Sequence, residues 1–192
     1  MTAEPSGYER ALDLFEAVVV GVPADGWDSP SPCAGWSALD VIGHVIEGQR
    51  EIIALASQEE PPAPVDEPGK LAGDDPLESW REARAECAAS LTERALARPI
   101  PFGGFGELPL RDLLDTYVLE LLVHAWDLAK ANGQPVRLDG DLVHHAFNTA
   151  QVVGGSMRAE GLIGPALTPP HGANELTRLL AFLGRLETPD AQ

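Results

Sequence analysis

The chain is short of positive charge: 13 Lys and Arg stand against 30 Asp and Glu in 192 residues, giving a net charge of −17. A surface this acidic repels phosphate backbones and anionic headgroups, so nucleic acids and membranes are poor partners. There are only two cysteines, Cys33 and Cys87, far apart and without a C-x-x-C pattern. That favours reduced thiols over a disulfide framework. No apolar run approaches the length of a membrane span. The N-terminal residues Met1-Thr2-Ala3-Glu4-Pro5-Ser6 lack the basic and apolar segments of a signal peptide, which leads to the expectation of a cytoplasmic protein. Internal repeats are missing, and no β-alternation is long enough to build a sheet.

What is present is helical periodicity in an ordinary apolar content of 44%, enough for one globular domain with a real core, taken here as residues 1–192. The first helix is read over about 7–20, with Tyr8, Ala11, Leu12, Phe15, Val18 and Val19 on one face. The second starts at Ser37, where Ser37-Ala38-Leu39-Asp40 resembles a capping box, and runs to about Ser57. Residues 58–75, rich in Pro, Glu and Asp, have little to bury and read as an exposed, mobile connection. The third helix is expected over about 76–97, with Leu77, Trp80, Ala83, Cys87 and Leu91 inward. A Gly/Pro loop fills 99–109. The fourth runs from near Pro109 to Asn132-Gly133, a common stop signal. A fifth follows over about 139–160 and a last short one over 174–185. This predicts an all-α fold, a helical bundle with a crossover between its second and third helices.

The fourth helix carries the chemistry. Glu120 and His124 are four residues apart, so their side chains lie one above the other. At about 100° per residue, His124 falls inside the apolar arc of the helix and Glu120 at its edge. Such a pair can reach one metal ion. His44, on the second helix among Val41, Val45 and Gly48, is the best candidate for a third ligand. Two imidazoles and one carboxylate would leave coordination positions open, the mark of a catalytic rather than a closed structural site. Spacing alone also admits an ordinary side-chain pair and a satisfied core histidine.

Three segments occur in order: Trp27 to Val45, containing Cys33-Ala34-Gly35-Trp36 and Asp40-Val41-Ile42-Gly43-His44; Glu120 to Ala129, containing His124-Ala125-Trp126-Asp127-Leu128; and Glu160 to Pro165 followed by a short helix. Together they resemble the actinobacterial metal-binding proteins built on the mycothiol-dependent maleylpyruvate isomerase N-terminal domain, within the wider DinB-type four-helix superfamily, and its single-domain members above all. The resemblance spans roughly residues 7–186. It implies a bundle arranged up-down-down-up with additional C-terminal helices, and a metal triad that maps onto His44, Glu120 and His124 as ligating and catalytic residues. It also implies mycothiol as the thiol co-substrate. The abundance of Arg over Lys, 11 to 2, agrees with a GC-rich actinobacterial source.

The chemistry expected of such a site is thiol activation. A borderline-soft divalent ion with an open position lowers a thiol's pKa and holds the thiolate, which attacks a small electrophile. The outcome is conjugation, or isomerisation if the thiol later leaves. Zn²⁺ suits the donors, and Ni²⁺ and Fe²⁺ share them. The alternative is a metal-binding or stress-related module without turnover, as monomer or homodimer, and the two readings share every feature of the sequence. Asp127 either fixes the tautomer of His124 or serves as a surface or capping acid, and Asp40 either supports His44 or caps its helix. Cys33 lies just before the metal-bearing helix, while Cys87 reads as core. His144 and His145 are adjacent and so point to different faces. His171 sits in a Pro/Gly loop at the pocket mouth or in solvent. Trp36 and Trp126 read as packing residues near the site. Arg50 and Arg111 could hold an anionic substrate.

Overall fold

In a computed structural model, which describes residues 6–102 and 106–185, the chain is mostly helical. The residues Met1–Pro5, on which the signal-peptide reading rests, and 103–105 of the Gly/Pro loop lie outside the described part. The α-helices are α1 (Gly7–Val20), α2 (Ala38–Ser57), α3 (Pro76–Ser90), α4 (Glu93–Leu96), α5 (Leu110–Ala131), α6 (Gly140–Ala159) and α7 (Glu175–Phe182), with a 3-10 turn over Pro68–Ala72. Among the described residues no helix is long and apolar enough to cross a membrane.

Two compact units result, residues 1–136 and 137–192. In the first, α5 packs on α1 and α2, and α2 packs on α3. The reason is written in α5, where Leu114, Val118, Leu121, Leu122, Ala125 and Leu128 are all buried. A helix apolar over so much of its circumference must be covered on several sides. The six apolar residues expected on α1 are buried. Trp80 of α3 is fully buried, edge-on to Phe15 at 4.8 Å. Arg84 of α3 also pairs with Asp13 and, at 2.6 Å, with Glu16 of α1. In the second unit, α6 packs on α7, and Arg158 binds the carbonyls of Gly164 and Phe182.

Helix starts follow the sequence closely because they are chemically encoded. Ser37 accepts from the Asp40 amide at 3.2 Å, while Asp40 Oδ2 accepts from Ser37 N–H at 2.9 Å, a complete capping box. Three expectations fail. The third helix stops at Ser90 instead of about residue 97, because Ser90 Oγ donates to the Cys87 carbonyl and Thr92 caps the separate helix α4. Leu91 is accordingly only half-buried. The Gly/Pro loop contains a short antiparallel pair, β1 (Pro99–Pro101) with β2 (Glu107–Pro109), whose three-residue strands are too short to register as alternation.

The third correction bears on the site. Residues 59–67 are exposed as expected, but Pro68, Gly69 and Ala72 are buried and the 3-10 turn packs tightly on α2. Gly43 makes this possible. A Cβ there would lie 1.9 Å from the Pro68 carbonyl oxygen, so only glycine lets the two backbones meet. Asp40 Oδ1 also accepts from Gly69 N–H at 3.2 Å. The second half of the connection is therefore a strap held on α2.

Candidate metal centre

His44 projects from the second turn of α2, and Glu120 and His124 from the middle of α5. One ligand atom from each lies within 4.8 Å of the other two. Among the described residues this is the one group of three or more His, Cys, Asp or Glu with such geometry. His124 is buried and Glu120 half-buried, as the apolar arc of the fourth helix anticipates. His44 Nε2 lies 3.0 Å from Glu120 Oε1. The two imidazoles meet edge to face, with ring centroids 5.0 Å apart.

Each imidazole has a carboxylate on its far nitrogen. Asp127 Oδ2 is 3.1 Å from His124 Nδ1, and Glu47 Oε2 is 3.7 Å from His44 Nδ1. An ionised carboxylate only accepts, so Asp127 draws the ring proton of His124 to Nδ1 and leaves its Nε2 as the electron-pair donor, whereas His44 turns its Nε2 to Glu120 and has an ion pair only at Nδ1. Two imidazoles and one carboxylate, gathered from two helices with the outer nitrogen of His124 hydrogen-bonded to Asp127, fit a divalent cation.

The electrostatics of the cluster are those of a His44–Glu120 ion pair. Burial disfavours the charged form of His44, yet the hydrogen bond and charge of Glu120, with the charge of Glu47, raise its pKa above the usual imidazole value. Burial likewise opposes ionisation of Glu120, but the hydrogen bond and charge of His44 and the charge of His124 overcome it and hold the carboxyl below its ordinary range. Burial, with the charges of Glu51 and Glu120, pushes the Tyr117 phenol far above its usual range. Tyr117 thus stays protonated one turn from Glu120. On the other side Trp36 covers the cluster, its ring 5.0 Å from that of His44 and stacked at 6.1 Å on that of His124.

The remaining candidates divide clearly. Asp127 is fully buried on His124, not a surface acid. Asp40 is committed to Ser37 and Gly69. The residue beside His44 is instead Glu47, which the sequence does not single out, although its i+3 spacing repeats that of His124 and Asp127. Cys87 is buried with Tyr8 and Gln49, its Sγ 3.6 Å from the Tyr8 hydroxyl. Burial raises its pKa to about 11, so it is core, as expected. Cys33 is half-buried in the turn before α2, where its carbonyl accepts from Trp36 N–H. Trp126 is buried. Arg50 is exposed, and Arg111 turns to the Leu96 carbonyl and Glu93. In the second unit, exposed His144 binds Glu175 while His145 is half-buried, and His171 is exposed in a turn.

The class this defines is a mostly helical protein with two histidines and a glutamate converging from two helices in a group that could hold a metal ion. Residues 8–129 match the family described as "Mycothiol maleylpyruvate isomerase N-terminal domain", and the chain belongs to it. Two proteins of Mycobacterium tuberculosis, from strains CDC 1551 / Oshkosh and ATCC 25618 / H37Rv and both described as uncharacterized, are each 32% identical over 188 residues, covering 93% of this chain and 95% of theirs. No solved structure matches the chain.

Proposed function

We propose that this chain is a metal-dependent low-molecular-weight-thiol transferase, with mycothiol as the thiol and a small electrophile as its acceptor. The observation that carries the reading is the convergence of His44, Glu120 and His124 within 4.8 Å. The three residues would hold the cation, Zn²⁺ by ligand preference, through the Nε2 atoms of both histidines and the carboxylate. A bound divalent ion supplies the Lewis acidity that keeps a thiol ionised near neutral pH.

The chain's own residues prepare that step. Two neutral imidazoles and one carboxylate leave a net positive charge on a dication, which favours an anionic sulfur over a neutral one. Asp127 would keep the ring proton of His124 at Nδ1. Tyr117, whose phenol burial keeps protonated, adds no second anion beside Glu120. Trp36 gives the cluster an apolar wall that excludes water from one side. Glu120 is only partly covered, so the thiol's proton can pass to solvent. The sulfur then forms a C–S bond to the electrophile, and the displaced electron pair leaves with the departing group or moves into the acceptor.

The test is elemental analysis of protein purified without chelators, followed by conjugation assays with mycothiol against a panel of electrophiles. One equivalent of divalent ion and product formation that depends on both ion and thiol are expected. Full metal loading with no conjugate to any electrophile would overturn the transferase reading in favour of a binding module. Loss of the ion should follow His124→Ala.

A further inference from the structure

The two histidines of the centre are supported alike but not equally. His44-Val45-Ile46-Glu47 and His124-Ala125-Trp126-Asp127 both place an acid three residues after the imidazole, on the same helix face. Asp127 is within hydrogen-bond distance of its histidine, at 3.1 Å. Glu47 stops at 3.7 Å, ion-pair distance rather than a hydrogen bond. The other oxygen of Glu47 accepts the Val65 N–H at 2.9 Å, so this carboxylate stands between a ring of the metal centre and the connection that leads into the strap. The strap is fastened to α2 twice more, by Gly69 N–H on Asp40 and by the contact of Pro68 with Gly43.

We propose that Glu47 is a positioning residue for His44 and couples cation binding to the fastening of the strap. The inference rests on the metal reading above. With Nε2 of His44 on a cation, the ring's proton must sit on Nδ1, and Glu47 is the carboxylate the chain places on that side. Its charge also offsets the positive charge that a dication retains beside a single ligating carboxylate. Loading the site therefore orders Glu47 against His44 through Oε2 and keeps Oε1 aimed at the Val65 amide, so the two contacts support each other. Because one side chain serves both, whatever tightens one contact is felt at the other, and the coupling acts equally in both directions.

Cobalt(II), added to the full chain as a spectroscopic probe, tests this. Glu47→Ala should weaken Co²⁺ binding by about ten- to a hundred-fold in chelator competition, the range typical of losing an outer partner of a metal-bound histidine. Glu47→Gln, which keeps an acceptor oxygen, should fall between it and wild type and carries the same test should the alanine variant fail to fold. Hydrogen exchange supplies the independent readout. Co²⁺ should slow exchange of amides over 64–70 in the wild type and leave them unchanged in Glu47→Ala. Val65→Pro, which deletes the strap's donor and leaves the carboxylate, should abolish the Co²⁺-dependent protection of Gly69. A wild type that binds Co²⁺ while Glu47→Ala matches it in affinity, absorption spectrum and exchange overturns the coupling alone. A wild type that takes up no Co²⁺ overturns the metal reading, and the coupling with it.

Discussion

Asp127 Oδ2 sits 3.1 Å from His124 Nδ1, with the aspartate wholly inside the protein. An acid in such a place is retained at a desolvation cost and is stable only beside a donor. Here it decides which nitrogen of His124 faces the other two residues of the cluster. Asp127→Asn keeps an acceptor but removes the charge, and should lower affinity for Zn²⁺ by about tenfold. Asp127→Ala should cost toward the upper end of about ten- to a hundred-fold. Competition with a chromophoric chelator measures both, and circular dichroism shows that helicity is kept. Unchanged affinity in the two variants would remove Asp127 from the site.

Trp36 should report on the cluster directly. Its indole stacks on one histidine and leans on the other, so an open-shell ion held between them should quench its emission. Titration with Co²⁺ or Ni²⁺ is expected to reduce tryptophan fluorescence in the wild type, and Trp36→Phe should lose most of that change while still binding the ion. Equal quenching in both proteins would place the ion elsewhere.

Gly43→Ala offers a test of sign. Inside an exposed helix the change normally stabilises, by roughly 0.5–1 kcal/mol. At this position the new methyl group would collide with the Pro68 carbonyl, so destabilisation of about 1–3 kcal/mol is expected, as for an overpacked core. Urea denaturation of the two proteins gives the answer. A higher midpoint for the variant would mean that the strap does not lie on α2 in solution.

Asp40 links the capping of α2 to pH. Burial raises its pKa, but hydrogen bonds from the Ser37 side chain, the Ser37 backbone and the Gly69 amide outweigh this and set it below the ordinary aspartate value. A depressed folded-state pKa contributes stability that is present above the unfolded value, near 3.9, and is lost as pH falls through the folded one. Wild type should therefore exceed Asp40→Asn in denaturation midpoint at pH 7, with the gap narrowing below about pH 4. A gap constant from pH 7 to 3 would show that the carboxylate's charge plays no part.

Much of this was legible in the residues, and the boundary has a physical basis. Ser37 with Asp40, and Glu120 with His124, interact within a turn of helix, so their spacing alone carries the information. His44 was readable only with its segment's resemblance, because an imidazole among Val41, Val45 and Gly48 is by itself usually a satisfied core histidine. Glu47 was not, since by itself it is another acid in a chain full of them, and its meaning comes from Val65, 18 residues away. Gly43 and Pro68 are similarly silent apart. The break at Ser90 turned on a hydroxyl competing for a helix carbonyl, a contest that apolar periodicity does not register.

His44 and Glu120 are 76 positions apart along the chain, so anything that grips both closes a ring containing α3, α4 and the hairpin. In the unfolded polymer such closure costs entropy that grows only slowly with ring size. An ion that recognises the assembled donors and ignores the open chain thereby acts as a removable cross-link. Bound there, it would raise stability by RT ln(1 + [L]/Kd), about 2.7 kcal/mol at a hundredfold excess over Kd. If the proposed ion binds, stripping it with a chelator should therefore free the ends of this ring and lower the melting temperature.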